Sequence, residues 1–188
     1  MRHLAPILLA LCLAAPAAAQ SRLTTDDGEP VTWGRDLTTA PLVYVYGDTI
    51  EADQRAAVEI ALYRWQLATG ETLAIPYSPA TLAIDVLIDA DALGGLPDDV
   101  AWNSAAVGRL EHVAFFFAST EPAVVVNAVL LVEADLSRCE TLGPAVHAWG
   151  HLLGLDDTDD PRSAMTAVPA GHVAPTAVDA AAALEACR

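Results

Sequence analysis

The chain has 188 residues, with 25 Asp and Glu against nine Arg and no Lys, a formal charge of −16 at pH 7 and a mean hydropathy of +0.37. That length suits one domain with a substantial core. A surface so acidic repels polyanions, which argues against nucleic acid and anionic membranes as partners and leaves room for an acid-rich Ca2+ site.

In chain order, "MRHLAPILLALCLAAPAAAQ" opens with the basic Arg2, continues as an apolar run from Leu4 to Ala15 and ends in small residues at Ala17 to Ala19. This is the pattern of a signal peptide over 1–19 cleaved after Ala19, and the run is too short for a membrane span. Leu11, before Cys12, is not the small residue that a lipidation signal needs. The expected location is secreted, extracellular or periplasmic. The expected mature chain from Gln20 keeps eight Arg against 25 acidic residues, a formal charge of −17.

Residues 20–40 are polar and turn-rich and read as a short leader to a single domain over 41–188. "PLVYVYG" (41–47) is a β-branched and aromatic run stopped by Gly47, hence a strand. In "DTIEADQRAAVEIALYRWQLATG" (48–70), Val58, Ala61, Leu62 and Trp65 fall at i, i+3, i+4 and i+7. That spacing predicts an amphipathic helix with Trp65 in the core, a capping-box-like start at Asp48 with Glu51, and a stop at Gly70. "TLAIPYS" (72–78) and "LAIDVLIDA" (82–90) predict strands, the second alternating Ile84, Val86 and Ile88 against Asp85, Leu87 and Asp89.

"LGGLPDDVAWNSAAVGR" (93–109) is rich in Gly, Pro and Asp and reads as a loop. "EHVAFFFAS" (111–119) and "PAVVVNAVLLVEAD" (122–135) predict an adjoining strand pair. "CETLGPAVHAWGHLLGL" (139–155) predicts a helix from Pro144 onward, and "APTAVDAAAALEAC" (174–187) a last helix capped by Thr176, with Asp179 three residues on. The order implies an α+β or open α/β fold: a mixed twisted sheet with a long N-terminal-side helix, a functional helix late in the chain and a C-terminal helix.

Cys139 and Cys187 are the even pair left in an oxidising compartment, which predicts a disulfide. It would close a loop of about 48 residues and contribute roughly 4 kcal/mol in the chain-entropy account.

The chemistry concentrates in "HAWGHLLGLDDTDDPRSAM" (147–165). His147 and His151 are four apart, so on a helix both imidazoles face one point. Gly154 can take the backbone conformation that ends the helix and turns Asp157 back toward the same point. Two imidazoles and a carboxylate form a three-ligand zinc set with a fourth position open.

HxxxHxxGxx followed by a ligand and then a methionine turn resembles the metzincins, whose pattern is HExxHxxGxxH with a later Met. The run Asp157-Thr158-Asp159-Asp160-Pro161-Arg162-Ser163-Ala164-Met165 is similar to that of the matrixin branch in its Asp-Pro and in the spacing of its Met. The resemblance implies a zincin-like fold, Zn2+ held by His147, His151 and Asp157, and Met165 as an apolar floor beneath the metal. It also implies a strand around 111–118 at the sheet edge, pairing with an extended peptide or protein substrate, in a monomeric protein.

Three departures stand out. Asp157 replaces the family's third histidine, as in related bacterial secreted peptidases. The expected mature chain has no cysteine ahead of the domain to serve thiolate latency. Ala148 occupies the position of the general-base Glu, without which acid–base catalysis loses roughly 10²–10⁴-fold. His112 and His172 are the remaining histidines that could approach the cleft, and each reads more simply as a surface residue.

The implied activity is a secreted matrixin-like zinc metalloendopeptidase, inactive or very slow as written. The alternatives are a non-catalytic, zinc-containing pseudoprotease that binds peptides or proteins, and a structural domain without metal.

Overall fold

The computed structural model describes residues 20–25, 27–81, 83–90, 104–110, 113–118, 120–121, 123–166 and 174–188. The signal peptide read over 1–19, the first part of the loop read over 93–109, and His112 and His172 lie outside the described residues.

Among the described residues the elements follow as β1 (Leu42–Tyr46), α1 (Ala52–Thr69), β2 (Ala74–Pro76), β3 (Val86–Asp89), β4 (Ser104–Leu110), β5 (Val113–Ala118), β6 (Val125–Leu131), α2 (Arg138–Leu152) and α3 (Ala177–Ala186). The strands form one mixed sheet in the order β2-β1-β3-β6-β5-β4. β1 pairs in parallel with β2 and β3, and β3 with β6, whereas β5 is antiparallel to both β6 and β4. Parallel neighbours need a crossover, and α1 provides it between β1 and β2. The architecture is mixed helix and sheet, in keeping with the α+β expectation.

α1 and α2 pack along one another, and Val58, Ala61, Leu62 and Trp65 enter the main core as their spacing requires. Two tryptophans tie the helices together reciprocally. Trp65 Nε1 donates to the Val146 carbonyl at 2.7 Å, and Trp149 Nε1 donates to the Val58 carbonyl at 3.2 Å. Successive residues of β5 divide between the two sheet faces: Val113, Phe115 and Phe117 join the main core, while Ala114 and Phe116 join Val129 and Leu131 on the other side.

Several expectations shift. α1 is capped by Glu51 with Gln54, three residues beyond the start read at Asp48, and Gly70 closes it at φ 76° as expected. Ile84 lies outside β3 and is exposed, while Asp85 is buried, its carboxylate taken by Arg35 at 2.6 Å and the Val43 N–H at 2.7 Å. Residues 104–109 of the segment read as loop belong to β4, so among the described residues β4, and not the strand read at 111–118, forms the edge on that side of the sheet. α2 begins at Arg138 rather than after Pro144, because Glu140 caps it by accepting the N–H and hydroxyl of Ser137 at 3.0 and 2.6 Å. Pro144 sits inside that helix and forfeits one backbone bond.

The segment read as a leader belongs to the folded body. Leu23, Val31, Trp33 and Leu37 are buried, and Trp33 Nε1 donates to the Leu152 carbonyl at 2.7 Å. These apolar residues are scattered singly among polar ones, so no periodicity announces them.

The predicted disulfide is absent: both Cys139 and Cys187 are free thiols. Cys139 lies in the first turn of α2, whereas Cys187 Sγ lies 4.0 Å from the carbonyl of Leu153, just past the other end. Fourteen residues of helix separate those ends by about 21 Å, and a disulfide needs Cα atoms within about 7 Å. Burial pushes the Cys187 thiol up to about 12. A thiol reagent is therefore expected to modify exposed Cys139 in the folded protein and Cys187 only on unfolding, with Tm insensitive to reductant. A marked fall of Tm on reduction would restore the bridge.

Candidate metal centre

α2 delivers both histidines from one face, one turn apart. Their rings meet edge to face, with centroids 4.4 Å apart and planes at 87°. Both are buried, His147 at 1% exposure and His151 at 0%. Each Nδ1 is committed to a backbone carbonyl, His147 to Ala164 at 3.2 Å and His151 to Leu155 at 2.9 Å. A carbonyl only accepts, so the ring proton sits on Nδ1 and the Nε2 lone pair is left for another partner.

Both Nε2 atoms are buried without a hydrogen bond. Asp157 Oδ1 stands 3.1 Å from His147 Nε2 and 3.6 Å from His151 Nε2. With each Nδ1 proton given to a backbone carbonyl, the two Nε2 atoms and the Asp157 carboxylate converge on one point as three lone-pair groups. The three ligand atoms lie within 4.8 Å of one another and could hold a metal ion. The Asp157 side chain is 43% exposed, so the cluster faces solvent through its carboxylate.

The loop after α2 explains how Asp157 arrives. Gly154 has φ 86°, and its N–H bonds the His151 carbonyl at 2.9 Å, ending the helix in the left-handed turn. The following residues are held by the N-terminal segment, with Leu23 N–H on Gly154 O at 2.9 Å and Asp156 N–H on Ser21 O at 3.1 Å. Thr158 N–H then bonds Met165 O at 2.9 Å, closing the loop and bringing Met165 under the helix. Within it Arg162 donates to both oxygens of Asp160, which holds that carboxyl down at about 2.

Met165 is fully buried against Gly150, between the two histidines; a Cβ at position 150 would overlap its sulfur. The role of Gly150 escaped the sequence reading, although a glycine in mid-helix is itself a signal of close approach. So did Ser163, Ala164 and the reach of Asp179, whose side chain had been read only as a helix cap. Ala148 is fully buried. Glu140 is engaged with Ser137, and Asp156 with the Asp157 N–H at 2.9 Å.

Burial, and after it the neighbouring His147 ring, push His151 below the ordinary histidine value of 6.5. The unfolded chain then binds more protons than the folded one below pH 6.5, so stability falls with falling pH. In the metal-free protein this contribution is expected in full above about pH 6.5, and to be lost as pH drops through the lowered folded value. Denaturant titrations at pH 7.5 and 5.5 check it, and the pH difference should shrink in His151→Ala. An unchanged difference would remove His151 as its source.

Comparison with known protein families and with curated proteins found no match to this chain, so the residues of the centre themselves carry the functional reading.

Proposed function

We propose that the chain is a secreted, zinc-holding domain of the matrixin-like metzincin type, built for peptide-bond hydrolysis and inactive or very slow as it stands because position 148 is Ala. The observation that carries the reading is the pair of buried Nε2 atoms without hydrogen bonds, converging with Asp157 on one point. Two ligands about 2.0–2.1 Å from a tetrahedral zinc stand about 3.3 Å apart, close to the 3.1 and 3.6 Å separations of Asp157 Oδ1 from the two rings.

When bound, zinc supplies Lewis-acid chemistry: it polarises a carbonyl and makes water a stronger acid. His147 and His151 supply Nε2 lone pairs, and Asp157 supplies a carboxylate oxygen that favours a cation. Met165, packed against Gly150, closes the floor. β4 ends the sheet beside β5 and offers backbone to an extended peptide by strand addition. Among the described residues the missing part is proton transfer. Ala148 has no acceptor, and Glu140 and Asp156 are already committed elsewhere.

That same Ala148 favours a second reading, a non-catalytic domain that binds peptides or proteins at an intact metal cleft. Both readings share one test. Protein purified at neutral pH, loaded with zinc and dialysed, is expected to retain the metal in stoichiometric amount. Failure to retain it would sink both and leave a structural domain with incidental histidines.

A further inference from the structure

Asp179 lies on α3, far in sequence from the histidines, yet it is 1% exposed and both of its oxygens are engaged. Oδ2 accepts the Thr176 N–H at 2.8 Å, which is the helix-capping bond. The other bonds leave the helix. Oδ2 also accepts the Ala164 N–H at 3.0 Å, and Oδ1 accepts the Ser163 hydroxyl at 2.6 Å. Ser163 Oγ in turn accepts the Met165 N–H at 2.9 Å.

That N–H belongs to the same planar peptide unit as the Ala164 carbonyl, and planarity means that fixing one fixes the other. The Ala164 carbonyl is the group that receives His147 Nδ1 at 3.2 Å. A continuous chain of bonds therefore runs from the Asp179 carboxylate through Ser163 and the 164–165 peptide to the ring of His147. A cap alone would not need it.

We propose that Asp179 is a positioning residue of the metal centre: it clamps residues 163–165 so that the Ala164 carbonyl holds His147 in the tautomer whose Nε2 is free to ligate. The inference rests on the metal-centre reading above. Groups that orient a ligating imidazole commonly change metal affinity by 10–100-fold.

The test uses the full chain as wild type, Asp179→Asn, Ser163→Ala and Thr176→Ala. The amide of Asn has a single acceptor oxygen and cannot serve all three donors. Nitrogen NMR of the histidine rings in the metal-free proteins reads the His147 tautomer, and zinc titration against a chromophoric chelator reads affinity. Wild type is expected to show His147 protonated at Nδ1 alone. Asp179→Asn is expected to give a mixture of tautomers and about a tenfold weaker zinc Kd. Ser163→Ala, which leaves the bonds to Ala164 and Thr176 in place, tests the relay if the first variant fails to fold, and should move both readouts in the same direction.

Thr176→Ala loses the cap hydroxyl and should lower Tm while leaving tautomer and Kd as in wild type. If Asp179→Asn and Ser163→Ala lower Tm but keep the wild-type tautomer and Kd, Asp179 is a cap and nothing more. If wild type binds no zinc while the tautomer still shifts, the metal reading falls and the hold of Asp179 on His147 stands.

Discussion

Replacing Ala148 with Glu in the zinc-loaded protein is expected to raise peptide cleavage by about 10²–10⁴-fold, the usual contribution of a positioned general base. Position 148 directly follows His147 on α2, so the substitution adds a proton acceptor beside the centre and removes no ligand. Zinc content should therefore stay that of the parent chain. Ala148 is fully buried, and a larger side chain must displace its neighbours at a cost of about 1–3 kcal/mol. Tm should fall accordingly. Zinc analysis, thermal melts and digestion of a broad peptide library decide the matter together. A variant that folds and carries zinc but cleaves nothing would end the peptidase reading in favour of the binding domain.

Replacing His151 with Ala is expected to weaken zinc binding on the order of 10²–10⁴-fold, about 3–5 kcal/mol, since in the proposed metal centre it removes one of three protein ligands from a site worth roughly 10–16 kcal/mol in all. The metal-free protein should suffer less. His151 Nε2 is buried without a hydrogen bond, so its loss relieves an unsatisfied polar atom while leaving a cavity. The asymmetry is the useful signature: zinc should raise the Tm of wild type by mass action and leave that of His151→Ala nearly unmoved. A variant that keeps wild-type zinc affinity would show that His151 is not a ligand.

Local signals in the sequence were dependable where one element satisfied itself. The spacing of Val58, Ala61, Leu62 and Trp65 located α1 and its buried face, Gly70 marked its end, and Thr176 with Asp179 marked the start of α3. They failed where a neighbour decided the outcome. Residues 104–110 carry no strand alternation that stands apart from a loop, and become a strand by pairing with β5. One failure was local: the segment was read as helical only from Pro144, although the capping pair Ser137 and Glu140, three residues apart, starts the helix earlier.

The sequence by itself determined the histidine pair: His147 and His151 share a helix face because helical spacing allows nothing else, and Gly154 permits the turn that follows. The sequence also named Asp157, but only the tertiary structure brought its carboxylate to 3.1 and 3.6 Å from the two rings, because its approach depends on the pairing of residues 21–23 with 154–156. The same holds for the tautomers, fixed by carbonyls of Ala164 and Leu155. It holds for the thiols too, since Cys139 and Cys187 looked like a pair until the length of α2 separated them. Periodicity and capping act over a few residues and can be read from the chain, whereas hydrogen bonds between distant segments depend on where the core places them.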